Sequence, residues 1–107
     1  MVSNDVMAKI ATLRRQFQVR LIDDSEHLRK LWQNWVEQGI ESDRQQILNL
    51  THSLKGSSGT FGFSQISAQA ALLEAALDAQ SQNKAMVQAN FTALLAAIDL
   101  VIEQGQS

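Results

Sequence analysis

Cysteine and proline are both absent from this chain of 107 residues, and glycine occurs only five times. Without cysteine there is no disulfide and no thiolate for metal or redox chemistry, which fits a reducing compartment. A β-sandwich or an α/β sheet would need more turn residues and alternating β-branched runs than are present. Charge of one sign is also scarce: 9 Lys and Arg stand against 11 Asp and Glu, a net charge of -2, so there is no basic footprint for nucleic acid. No apolar run approaches the roughly 20 residues that cross a bilayer. The N-terminus lacks the charged-then-apolar layout of a secretion signal. A cytoplasmic protein without membrane insertion is therefore expected. No internal repeat, low-complexity linker, Walker-type nucleotide loop or acidic cluster suited to magnesium is seen.

What is present favours helix. Hydrophobic residues make up 45% of the chain, and Ala, Leu, Gln and Glu are abundant, all good helix formers. The length suits a single domain over residues 1–107 with one modest core. The expected fold is all-α: an up-down-up-down four-helix bundle with an additional or bent N-terminal helix.

Taken in order, Ser3, Asn4 or Asp5 can cap a first helix, whose buried stripe is predicted to be Val6, Ile10, Leu13, Phe17 and Leu21. Arg14, Arg15 and Arg20 lie off that stripe, as a solvated face. Asp23 to Glu26 has capping-box spacing, and either a second helix starts there or the first one bends. Leu28, Leu31, Trp32, Trp35 and Val36 share one face, with Gly39 placed to end the helix. The two tryptophans read as core anchors, or one of them as an interface contact. Ser42 to Gln45 is another capping-box pattern. Phe61 and Phe63 are placed to plug an end of the core. Ser64 is placed to cap a helix with Ile66, Ala70, Leu73 and Leu77 inward. Ser81-Gln82-Asn83 is the last turn, and Val87, Phe91, Leu94, Ile98 and Ile102 form the final stripe before Gly105.

The informative stretch is Thr51-His52-Ser53-Leu54-Lys55-Gly56-Ser57-Ser58-Gly59. At about 100° per residue, Ile47, Leu50, Thr51, Leu54, Ser58 and Phe61 fall on one stripe. Leu48, His52, Lys55, Gly56 and Gly59 fall on the other side. The imidazole is thus predicted to face solvent, with an ammonium one turn on and no side chain at Gly56. Glycine inside a helix costs about 1 kcal/mol relative to alanine. Two glycines on the histidine's face suggest that something approaches closely there. His27, set among Glu26, Arg29 and Lys30, reads as an ordinary surface histidine, and two such isolated histidines make a poor metal site.

His52-x-x-Lys55-Gly56, followed by Ser57-Ser58-Gly59-Thr60-Phe61-Gly62-Phe63 and a helix carrying Leu72-Leu73-Glu74, resembles the histidine-containing phosphotransfer (HPt) domain of multistep two-component signalling. The motif occupies roughly the central third of the chain. The resemblance implies a phosphorelay carrier: His52 takes a phosphoryl group from a receiver-domain aspartate, or a kinase, and passes it to another receiver-domain aspartate. The implied partners are response-regulator receiver domains and a hybrid sensor histidine kinase. Magnesium is expected on the partner receiver, and no cofactor or metal on this chain. Lys55 would steady the phosphoryl charge, and Gly56 and Gly59 would keep the approach clear. Leu48 is either a docking contact or a half-buried edge of the core. A polar residue on the next helix, Gln69 or Glu74, would orient the imidazole. The chain is too short to hold a kinase ATP domain as well, so an autonomous enzyme is not expected. A monomer is expected, since the histidine face must stay free. The alternative is a helical interaction module that binds receiver domains without being phosphorylated.

Overall fold

The computed structural model describes residues 4–79 and 83–105, and among them every regular element is a helix. These are α1 (Asn4–Gln38), α2 (Glu41–Thr60), α3 (Ser64–Asp78) and α4 (Lys84–Gly105). α1 packs on α2, α2 on α3, α3 on α4, and α4 returns to α1; among the described residues the diagonal pairs stay apart. Helices that are neighbours in the chain and joined by short connections run antiparallel, which gives the up-down-up-down bundle the sequence predicts. The core is aliphatic: Leu21, Leu28, Ile47, Leu54, Ile66, Leu73, Leu94 and Ile98 are fully buried. Each such side chain contributes about 1.5–3 kcal/mol on leaving water.

The N-terminal part is one uninterrupted helix of 35 residues, not an additional helix. Asp23 to Glu26 lies inside α1 and starts nothing, because the core stripe runs on through it from Leu21 to Leu28. Ser25 is buried, its hydroxyl donating to the Ile22 carbonyl at 3.0 Å. The predicted first stripe holds at Phe17 and Leu21, which are buried, but Val6, Ile10 and Leu13 are 47%, 51% and 50% exposed. α1 has 35 residues, against 20, 15 and 22 in α2, α3 and α4. α1 simply outruns its neighbours. Val36, near its other end, is also exposed. Trp32 stacks on Phe91 with ring centroids 4.2 Å apart, and Trp35 stands edge-on to Trp32 at 5.5 Å. Gly39 ends the helix at φ 65° as predicted, its N–H donating to the Trp35 carbonyl at 2.8 Å.

Neither predicted serine cap forms. α2 begins at Glu41 with Ile40 as its uncapped flanking residue. Arg44 there holds Glu41 at 2.7 Å and reaches the Leu77 carbonyl near the end of α3 at 2.9 Å. That tertiary link anchors the start of α2 to the end of α3, while the Asp43 N–H goes to the Ile40 carbonyl at 3.0 Å. Ser64 is the first residue of α3 and makes no cap, with Phe63 flanking it. The turn before it is complete without a side chain. The Phe63 N–H donates to Ser58 at 2.8 Å and the Gly62 N–H to Gly59 at 3.4 Å, the double bond of a Schellman motif. Gly62 supplies the left-handed φ of 81°. Phe61 and Phe63 then close the core over Phe17, at 5.5 and 5.7 Å between ring centroids.

The inward residues of α3 and α4 are those predicted, with Ile102 only partly buried. Ser81 and Gln82 lie outside the described residues. Asn83 caps α4, its side-chain oxygen accepting from the N–H groups of Ala85 and Met86. Gly105 is the last residue of α4, not the first beyond it. One expectation is corrected: α4 is 22 residues long and its most apolar 18-residue window has a mean hydropathy of 1.7, so by length and composition it could span a bilayer. Gln88, Asn90 and Thr92 break up the apolar run without making the helix polar. Its Val87, Phe91, Leu94 and Ile98 nevertheless line the bundle core.

Candidate functional site

Burial of Ile47, Thr51, Leu54 and Ser58 fixes the rotation of α2. His52, about 100° on from Thr51, is thereby turned outward, and its side chain is 71% exposed. Burial of Ile66, Ala70, Leu73 and Leu77 fixes α3 in the same way and points Glu74 at α2. The small Ala70 lets the two helices come close. Glu74 Oε2 lies 2.5 Å from His52 Nδ1, and Glu74 Oε1 lies 2.6 Å from Lys55 Nζ. The Ser67 hydroxyl, lower on α3, donates to the Lys55 carbonyl at 3.0 Å. One carboxylate therefore bridges His52 and Lys55, and a hydroxyl ties down the backbone at Lys55.

The Glu74 carboxyl is held below its ordinary value of 4.5, first by the hydrogen bond from Lys55 and then by that from His52. An ionised carboxylate only accepts hydrogen bonds. This assigns the imidazole proton to Nδ1 and leaves the Nε2 lone pair directed away from Glu74. A second group fixing one ring nitrogen is the general way in which the other is set up to react.

Of the residues read from the sequence, His52, Lys55 and Glu74 come together and Gln69 does not. Gln69 lies about 140° around α3 from Glu74, and the imidazole's hydrogen bond goes to Glu74. The core stripe of α3 could have made that choice, because it places Glu74 on the α2 side. Leu48 is partly buried and packs against the core, the half-buried edge of the two readings. A Cβ added at Gly56 would meet nothing within 4 Å. Gly59 is different: its Cβ would stand 3.4 Å from Ser67 Oγ. Gly59 is exposed like Gly56, but α3 bounds its space on one side, where a Cβ would make ordinary contact with Ser67. The roles of Ser67 and of Glu74 as partner to Lys55 went unread, since both depend on how close α3 approaches.

His27 is exposed on α1. Among the described residues no three His, Asp or Glu side chains gather where they could hold a metal ion. A cleft of about 290 Å³ beside Trp32, Trp35 and Lys84 includes none of His52, Lys55 and Glu74.

Comparison with curated proteins gave no match, and comparison with solved structures gave none. The family model described as the Hpt domain matches residues 12–104, nearly the whole chain, and the protein therefore belongs to the Hpt domain family, whose general role is histidine phosphotransfer in phosphorelays.

Proposed function

We propose that His52 is the phosphoryl acceptor of this domain, that its Nε2 is the reacting atom, and that receiver domains of response regulators are its donor and acceptor partners. The observation that supports this most is the exposed ring with Nδ1 tied to Glu74 and open backbone one turn away at Gly56. In the forward step the Nε2 lone pair attacks the phosphorus of an aspartyl phosphate. The N–P bond forms, the P–O bond breaks, and the aspartate leaves as a carboxylate. No proton has to move, since Nδ1 keeps its hydrogen. The ring gains positive charge, and the Glu74 carboxylate offsets it. In the return step an aspartate of another receiver attacks the phosphorus, and the N–P electron pair goes back to Nε2.

Phosphoryl transfer passes through a loose transition state with charge on the equatorial oxygens. Lys55 has three N–H bonds. One is spent on Glu74, and the others remain for those oxygens. The magnesium and the aspartate of the reaction belong to the partner, and this chain carries the group without an ATP site of its own. The domain acts as a cytoplasmic monomer that presents one face at a time.

Mixing the protein with a phosphorylated receiver domain tests the reading. Acid-labile, base-stable phosphate is expected on the chain, and none on His52→Gln. Label that persists in that variant, or no label on the parent chain while the two proteins bind, would transfer the assignment to a docking module that accepts no phosphate.

A further inference from the structure

Residues 4–16 of α1 are exposed throughout, yet their apolar pattern is that of a helix with a partner. Val6, Ile10, Leu13 and Phe17 keep the 4-3-4 spacing of a coiled-coil seam. Phe17, under Phe61 and Phe63, is the first of the row to be buried. Ile10 and Leu13 are half exposed, and Met7 beside them is 58% exposed. Residues 4–11 also precede the Hpt match, which begins at residue 12. The phosphotransfer fold does not account for them.

The charges around the row say what kind of helix fits. With Ile10 at position a and Leu13 at d of a heptad, Lys9 falls at g and Arg14 at e, the positions that face a partner's charges. Residues 4–16 carry Lys9, Arg14 and Arg15 against Asp5 alone, in a chain whose net charge is -2; the Arg14 guanidinium lies over the Phe63 ring at 4.5 Å, and Arg20 further on already pairs with Asp24. A parallel pair of two copies would set Lys9 against Arg14. An antiparallel pair in full overlap would set Lys9 against Gln16 and Arg14 against Met7. Neither supplies a counter-charge, whereas Glu or Asp flanking the seam of another helix does.

We propose that the projecting N-terminal part of α1 is a docking surface for an acidic amphipathic helix of a partner protein, which pairs with it as a short coiled coil. Ile10 and Leu13 lie on the seam, with Met7 at its edge and Lys9 and Arg14 flanking it. His52 sits about 12 Å along the axis from the end of α2 and faces α3 instead of α1, so both surfaces can be occupied at once. The proposal stands apart from the assignment of His52, and its test does not depend on phosphate.

The probe is a synthetic peptide of three heptads with Ile at a, Leu at d and Glu at e and g, titrated calorimetrically into the full chain. The control peptide has Lys at e and g. The Glu peptide is expected to bind saturably at one per chain, and the Lys peptide at least tenfold more weakly. Ile10→Asp is expected to weaken binding at least tenfold while thermal unfolding and phosphotransfer stay unchanged. Lys9→Glu with Arg14→Glu should reverse the preference between the two peptides. Equal binding of both peptides, no binding, or undiminished binding by Ile10→Asp would overturn the proposal. So would sedimentation as a dimer that Ile10→Asp dissociates, or tighter association with phosphatidylglycerol vesicles than with the Glu peptide.

Discussion

Glu74 divides its two oxygens between Lys55 and His52, and the division has a consequence for stability. Its folded-state value lies below the ordinary 4.5. The ionised form therefore stabilises the fold fully above pH 4.5, and the contribution is lost as pH falls through the folded-state value. Glu74→Gln should be less stable than the parent by about 1 kcal/mol or less near neutrality, the scale of a partly exposed ion pair. The gap should close as pH falls below 4.5. Urea unfolding at a series of pH values measures this, and a gap independent of pH would mean that Glu74 acts by packing alone. Gly56 carries the opposite signature. Its Cβ position is open, so Gly56→Gln costs no clash and gains helix propensity, raising stability by about 0.5–1 kcal/mol. The same side chain would stand one turn from His52 and should slow transfer from a phospho-receiver at least tenfold. Rapid-quench phosphotransfer alongside thermal unfolding checks both directions. A rate left at the parent level would remove the access role of this glycine.

At the scale of the helices, legibility follows the range of the interaction. The inward stripes of α2, α3 and α4 were readable because a 3.6-residue period is written into each segment alone. The histidine's outward direction came with them, since burial of Thr51 and Leu54 settles where His52 points. The starts of α2 and α3 were readable to within two residues, but their caps were not. A capping box is a local offer of acceptors to free N–H groups, but α2 begins at Glu41, one residue before Ser42, with Arg44 tying that end to the Leu77 carbonyl of α3. At α3 the Phe63 carbonyl accepts the Ser67 N–H, which makes Phe63 the flanking residue and puts Ser64 inside the helix instead of at its cap. Gly56 and Gly59 look equivalent in the sequence. They differ only in that Ser67 stands beside one of them.

For the molecule as a whole, the decisive quantity is unequal helix length, which periodicity does not encode. Ile10 and Leu13 have the pattern of core residues yet stand half exposed, because α1 runs on past the ends of its neighbours. The bundle is 49 Å in its longest dimension and 25 and 20 Å in the others, so one helix sets the length and four share the width. The core begins at Phe17, and no residue before it is buried among those described. Removing residues 1–11 should therefore leave the bundle and the site intact. Of the residues removed, those described, 4–11, are exposed helix, and stability should change by less than about 1 kcal/mol, which for a domain of this size is a shift in Tm of at most about 4–8 °C. Phosphotransfer to and from a receiver should be unchanged, because the shortened chain keeps Phe17 under Phe61 and Phe63 and so keeps the end of α2 in place. Scanning calorimetry and a transfer assay on the shortened chain decide the matter. A drop in Tm well beyond that range would mean that the N-terminal turns of α1 bear on the core, and that the exposed row is held by this molecule's own fold instead of waiting for another helix.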